Sequence, residues 1–251
     1  MVDPIYNDPR LAPAYDAFEP ERRDLDAYVA LAHEFDAHRI VDLGCGTGCL
    51  ALKLTSSNRR ITAVDPAGAS LDVARSKPGA DQITWIEGDA AAIPPDLSAD
   101  LIVMTGNAAQ AILTDHAWNA MLHHVWGALT AGGLFVFESR RPEQRAWEGW
   151  THPDPQTAEV PGIGTVARQL TLTAVNLPLV SFRYTYRFQA DGASVVSDST
   201  IRFRGRDEIE ASLRTKNFSV RDVRDAPDRP ACEFVFIVAR SEVRRQPLEF
   251  V

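Results

Sequence analysis

Val41-Asp-Leu-Gly-Cys-Gly-Thr-Gly48 is the stretch on which the reading of this chain turns. It follows a short apolar run, Arg39-Ile-Val-Asp-Leu43, and opens Gly48–Thr55, whose Leu50, Leu52 and Leu54 suit the start of a helix. Glycines between a strand and a helix let the backbone approach a ligand closely at the carboxyl edge of a sheet. The spacing is G-x-G-x-G, carried by Gly44, Gly46 and Gly48. The dinucleotide fingerprint G-x-G-x-x-G needs a glycine where Cys49 stands, and no Lys-Ser or Lys-Thr pair follows to make a P-loop. Taken alone, the turn is equally a tight strand-to-helix connection.

Outward from the turn, apolar strands alternate with helices. The pattern predicts strands at 39–43, 60–64, 82–86, 100–104 and 133–137, with helices at 48–55, 68–76 and 116–129 between them. A further helix precedes the first strand over 22–37, where Leu25, Tyr28, Val29, Ala32 and Phe35 share a face. Such alternation implies a parallel sheet covered on both sides. Residues 1–20 carry Pro4, Pro9, Pro13 and Pro20 and read as an irregular lead-in. From 166 to 204 the period changes to two: Phe182, Tyr184, Tyr186 and Phe188 fall on one face, Arg183, Thr185, Arg187 and Gln189 on the other. Asp191-Gly192 supplies a hairpin turn, so about three antiparallel strands are expected here. Helix (206–216) and strands (218–223, 233–239) then resume. The fold class is therefore α/β: a doubly wound, Rossmann-like, seven-stranded, mostly parallel sheet with an antiparallel β insert after the fifth strand. Residues 1–138 and 205–251 form the core, and 139–204 form the insert, expected to act as a cap or a dimer contact.

Two carboxylates sharpen the site. Asp65 closes the second strand, twenty-one residues beyond Gly44 and followed by Pro66. A carboxylate at that strand tip can accept bonds from both hydroxyls of a ribose, as dinucleotide enzymes also arrange. Asp89, in Glu87-Gly-Asp-Ala90, follows the third strand and can accept a bond from the exocyclic amine of an adenine. Either acid alone is equally a loop residue or a helix cap; three features on successive strand tips are more telling.

On these residues, 39–138 resemble the class I S-adenosylmethionine-dependent methyltransferases of the small-molecule type. Val41–Gly48 matches the family's first motif, Asp65 its second-strand acid, Gly88-Asp-Ala90 its third-strand motif, Ala99–Val103 its fourth strand, and Leu129–Leu134 the turn before the fifth. The family usually has proline where Ala131 stands. The resemblance implies that Gly44, Cys45 and Gly46 pack against the amino-acid end of the cofactor. It also implies that Asp65, with Pro66, holds the ribose and that Asp89, with Ala90, meets adenine. The implied cofactor is S-adenosylmethionine, with S-adenosylhomocysteine as product. Gly106 and Asn107, in the loop after the fourth strand, are candidates to touch the cofactor. Tyr15 is a candidate lid residue, since aromatic lead-ins in this family often close the site. Gln110, Arg140 and Trp147 are candidates to touch the acceptor, Arg for an anionic group and Trp for a ring or as an anchor of the insert.

Other signals fail. His33-Glu-Phe-Asp-Ala-His38 lacks the histidine at 37 that a zincin motif needs, no nucleophile elbow is present, and no metal is expected. Cys45, beside a helix start, is a candidate for a lowered pKa or for simple packing. Thr105-Gly-Asn-Ala108 stands where enzymes that methylate base amino groups carry Asn/Asp-Pro-Pro-Tyr. The 251-residue chain has a net charge of −8 and a pI near 5.3, a poor match for a nucleic-acid backbone or an anionic membrane. Three cysteines without a C-x-x-C pair, and a start without a signal-peptide pattern, suggest a reducing, cytoplasmic setting. The expectation is methyl transfer from S-adenosylmethionine to a small-molecule acceptor by in-line displacement, with no identified base and a possible homodimer. The alternatives are another reaction on the same cofactor fold, or a nonenzymatic cofactor-binding or scaffold protein.

Overall fold

The structure, a computed structural model, describes residues 2–241; Met1 and residues 242–251, the end of the expected core segment, lie outside the described residues. Five strands pair in parallel: β1 (Arg39–Leu43), β2 (Arg60–Asp65), β3 (Ile83–Glu87), β4 (Ala99–Met104) and β5 (Leu129–Arg140). The late strand β11 (Arg229–Arg240) joins β5 antiparallel, and β10 (Phe218–Ala226) pairs antiparallel with β11. The seven-stranded order is β10-β11-β5-β4-β1-β2-β3.

Alternate residues of these strands face opposite sides, and both sides are buried. On one side Ile40, Val103, Val136 and Ile237 pack under α3 (Asp26–Glu34), α4 (Cys49–Leu54) and α5 (Gly68–Ser76). On the other, Val41, Ile102, Phe135, Phe137 and Phe236 meet Trp118 and Leu122 of α6 (Asp115–Ala128) and Leu213 of α7 (Arg206–Thr215). Phe137 stacks between Phe135 and Phe236, with ring centroids 4.8 and 5.1 Å away. Burial on two sides is why the strands read as near-continuous apolar runs. Two boundaries differ from expectation. The helix expected over 22–37 is a single 3-10 turn, Arg23–Leu25, leading into α3. Strand β5 runs past the expected core boundary at 138 to Arg140.

The insert is a separate four-stranded antiparallel sheet, β6 (Gln156–Val160), β7 (Gly164–Asn176), β8 (Leu179–Phe188) and β9 (Ser194–Arg202), in sequential order. It has one strand more than expected: β6, Gln-Thr-Ala-Glu-Val, is short and polar, and it pairs with β7 as an edge. The lead-in also departs from expectation. Residues 4–18 hold two helices, α1 (Pro4–Asn7) and α2 (Ala12–Phe18), with Pro4 and Pro13 in their first turns. Proline fits there because those N–H groups have no intrahelical partner. Both helices pack on the aromatic face of the insert: Ile5, Leu11, Ala14, Tyr15 and Phe18 meet Val166, Tyr184, Tyr186 and Phe188. Arg183 and Arg187 lie on the other, exposed face, where Arg183 pairs with Asp198 at 2.7 Å. Among the described residues no helix is long and apolar enough to cross a membrane.

Candidate active site

The glycine turn holds three left-handed residues, Gly44, Gly46 and Gly48, with φ of +77°, +52° and +78°. Close approach dictates two of them. A Cβ on Gly44 would stand 2.9 Å from Ala108 Cβ, and one on Gly48 would stand 2.5 Å from the Trp85 ring. Gly46 is different: nothing lies within 4 Å of where its Cβ would be, so its open side faces free space. The backbone N–H groups of Gly44 and Cys45 donate to the Val64 carbonyl, at 2.8 and 3.2 Å, which docks the turn on the end of β2.

Asp65 stands where the sequence placed it, at the tip of β2. Its Oδ2 accepts from Gly46 N at 2.7 Å and its Oδ1 from Ala67 N at 2.8 Å. Burial raises its pKa and the two backbone bonds oppose the rise. Each oxygen keeps a further lone pair for a diol. Pro66 is exposed beside it. Asp89 is exposed at the next strand tip, where Oδ1 accepts from Ala91 N at 2.9 Å and caps the short turn Ala90–Ala92; Ala90 is buried. Gly88 N donates to the Asp65 carbonyl at 3.0 Å, so the two acids hang from one backbone link. Deeper in the motif, Asp42 is fully buried and neither carboxylate oxygen has a partner among the described residues. Burial first, then the nearby Asp65 charge, pushes it up to about 7.

The loop after β4 supplies the facing wall. Gly106 and Asn107 both have positive φ, +64° and +58°, and Ala108 N donates to the Thr105 carbonyl at 3.2 Å. Two left-handed central residues closed by that bond make a type I′ turn. Gly106 is exposed, with open space where a Cβ would stand. Asn107 is buried: its backbone N–H donates to Glu138 Oε1 at 2.8 Å and its Nδ2 to Glu233 Oε1 at 3.2 Å. The reading of the sequence missed Glu138 and Glu233 as contributors. Their signal was a lone carboxylate at the end of an apolar strand, Phe135-Val-Phe-Glu138, and another just before one, Glu233-Phe-Val-Phe236.

The remaining candidates separate. Tyr15 is half-buried, its ring 5.9 Å from that of Tyr6. Its helix is held to the glycine turn: Asp16 accepts from Thr47 Oγ1 at 2.5 Å and pairs with Lys77 at 2.5 Å. Helix α1 is held to α5, since Ser70 Oγ donates to the Tyr6 carbonyl at 2.7 Å. The lead-in is thus tied to both the glycine turn and α5. Gln110 is buried and committed, with Oε1 accepting from Arg140 Nη1 at 3.0 Å and Nε2 donating to the Arg202 carbonyl at 3.3 Å. Arg140 also lies 5.7 Å above the Trp150 ring. Trp147 is buried edge-on against Phe203, 4.6 Å between centroids, beside Val180. It anchors the insert, and Trp150 is the half-buried tryptophan of the pair. Burial drives the Cys45 thiol well above its ordinary pKa, so of the two expectations for it, packing holds and activation does not.

Gly44 and Gly46, Asp65, Gly106 and Asn107 therefore meet around one cleft, with Asp89 at its edge. Gly46 and Gly106 each have open space where a Cβ would stand. The carboxylates at successive tips suit a ribose and an adenine, so the residues present fit S-adenosylmethionine. Residues 40–133 match the family model described as "Methyltransferase domain". The cypemycin N-terminal methyltransferase of Streptomyces sp is 27% identical over 57% of this chain and 60% of its own length. The trans-aconitate 2-methyltransferase of Azoarcus sp. is 30% identical over 65% and 63%. The chain thus spans under two thirds of both relatives. Among solved structures, an S-adenosylmethionine-dependent methyltransferase from Clostridium acetobutylicum superposes with a TM-score of 0.75 at 17% identity, covering 93% of this chain and 98% of the other. CalS10, an amino pentose methyltransferase from Micromonospora echinaspora solved with S-adenosylmethionine bound, gives 0.68 at 20% identity, covering 91% and 97%. The strand order and the glycine turn agree with these matches: residues 40–133 carry a methyltransferase domain, and the chain has the fold of S-adenosylmethionine-dependent methyltransferases.

Proposed function

We propose that this protein transfers a methyl group from S-adenosylmethionine to a nucleophilic atom of a small molecule. The observation that carries the reading is the Asp65 carboxylate at the tip of β2, accepting from Gly46 N at 2.7 Å beside the glycine turn. When bound, the cofactor supplies a methyl group on a sulfonium sulfur, already activated toward displacement. What the chain contributes is alignment and exclusion of water. Asp65 and Asp89 fix the nucleoside end, the glycine turn and the Gly106–Asn107 turn flank the amino-acid end, and α1 and α2 close the side open to solvent.

A small acceptor is supported by the lead-in, which packs on the insert and is tied to the glycine turn, and by the relative named as a trans-aconitate 2-methyltransferase. The acidic surface supports neither a nucleic acid nor a membrane as partner. Three free cysteines, one of them exposed, support a reducing, cytoplasmic setting. Titration calorimetry with S-adenosylmethionine tests its foundation. Asp65→Ala is expected to lose about 1.5–3 kcal/mol of binding, the worth of hydrogen bonds to a charged group. A folded variant with unchanged affinity overturns the assignment. Transfer of labelled methyl to a metabolite panel then separates an enzyme from a cofactor-binding scaffold.

A further inference from the structure

Ionised carboxylates are costly to bury unless they are paired or fully hydrogen-bonded. Two lie side by side here, Glu138 near the end of β5 and Glu233 in β11, 7% and 2% exposed. Each holds a different group of the same residue. Glu138 Oε1 accepts from the Asn107 backbone N–H at 2.8 Å, and Glu233 Oε1 accepts from Asn107 Nδ2 at 3.2 Å. The other oxygen of Glu138 accepts from the Tyr28 hydroxyl of α3. Glu233 is held in turn by Arg229, whose Nη1 donates at 2.8 Å, with Arg140 Nε 3.5 Å away.

The residue gripped is an unusual one. Asn107 is left-handed at +58°, a conformation asparagine tolerates but does not enforce by itself. The turn it occupies presses Ala108 against Gly44, where no Cβ fits. Where the Asn107 N–H is drawn therefore sets how the turn meets the glycine turn, and so the width of the cleft between them. With Nδ2 committed, Asn107 Oδ1 is left buried without a partner among the described residues. A clasp between α3 and β5 alone needs only Tyr28 and Glu138. The bonds to Asn107 tie that clasp to the site.

We propose that Tyr28, Glu138 and Glu233 form a buried clamp that positions the Gly106–Asn107 turn for the amino-acid end of S-adenosylmethionine, leaving the adenosine end to Asp65 and Asp89. The proposal rests on the cofactor reading above. Glu138 is a positioning residue that acts through Asn107. Its burial and its bonds to the Asn107 N–H and the Tyr28 hydroxyl assign it that role.

Two ligands separate the two ends of the cofactor. S-adenosylhomocysteine carries adenosine and the amino acid, and 5′-methylthioadenosine carries adenosine without it. By calorimetry on the full chain, Glu138→Ala is expected to weaken S-adenosylhomocysteine tenfold or more and to leave 5′-methylthioadenosine within twofold. Tyr28→Phe keeps its ring packing, removes one donor, and is expected to weaken S-adenosylhomocysteine about threefold with the same selectivity. Equal losses for both ligands, or unchanged S-adenosylhomocysteine affinity in both variants, overturn the clamp. If Glu138→Ala does not fold, Tyr28→Phe decides on the same criterion. A wild-type protein that binds neither ligand removes the cofactor reading, and the clamp with it.

Discussion

The seven-stranded sheet and the four-stranded sheet are built under opposite conditions. The first is covered on both sides, so its central strands have no surface to spare for polar groups. The second is covered on one side by α1 and α2, and its other side carries Arg183, Arg187 and Asp198 in solvent. The difference teaches what each can do. A sheet packed on two faces holds strand tips to fixed positions, which a cofactor site needs. A sheet packed on one face by two helices of four and seven residues places fewer such constraints on its strands.

The strongest way to break this contrast is a cavity in each sheet. Phe137→Ala, at a fully buried position between two stacked rings, is expected to cost about 3–5 kcal/mol. Phe182→Ala, in the half-buried face of the insert, is expected to cost clearly less in the same chemical denaturation assay. Equal costs would mean the insert is packed as tightly as the core.

Asp42 tests the contrast by charge. Its pKa is raised from an ordinary 3.8 to about 7, so the folded state binds the proton more tightly than the unfolded chain. The associated stability is fully present below pH ~4 and is lost as pH rises toward 7, roughly 4 kcal/mol at most. Asp42→Asn removes that loss. Its melting temperature relative to wild type is expected to climb between pH 4 and 7 and to level off above. A difference that does not change with pH rejects the assignment.

Smaller effects lie at the lead-in. Lys77→Met removes the pairing with Asp16 and the bond to the Thr47 carbonyl, 2.7 Å away. Tryptic cleavage at Arg22 and Arg23 is expected to quicken a few-fold, as suits a partly exposed pair worth up to ~1 kcal/mol. Cofactor is expected to slow the cut in wild type, and an unaltered rate would remove the lid role. Smallest of all, Val196→Ser on the exposed side of the insert is expected to stay within about 0.5 kcal/mol by the same denaturation measurement.

The same contrast explains what was legible in the sequence. Strands buried on both sides announce themselves as apolar runs, and the glycine turn announces itself by residues that must adopt positive φ. Strand β6 has only Ala158 and Val160 as apolar residues and pairs at an edge, so no periodicity exposes it. The prolines of the lead-in read as breakers because nothing local shows that they begin helices whose apolar side is covered by a sheet some 180 residues later. Asp65 and Asp89 were legible because strand tips are local features. Glu138, Glu233 and Tyr28 were not, because their bonds to Asn107 and to one another cross 31, 126 and 110 residues of sequence.

One bond described by neither sheet alone sets the order in which the molecule is made. Ile5 N, at the start of α1, donates to Ser197 Oγ in β9 at 2.9 Å, across 192 residues. Helices of four and seven residues are not stable by themselves in water, so α1 and α2 wait for their sheet. At ~5–20 residues per second the ribosome takes on the order of 10–40 s to deliver Ser197 after Ile5 has been made. The parallel strands β1–β5 are made before β9, so α1 and α2 dock after strands that follow them in the chain, and β10 and β11 are made later still. The lead-in is fully docked only after the insert has been made, so a chain stalled before β9 lacks the bond that fixes Ile5.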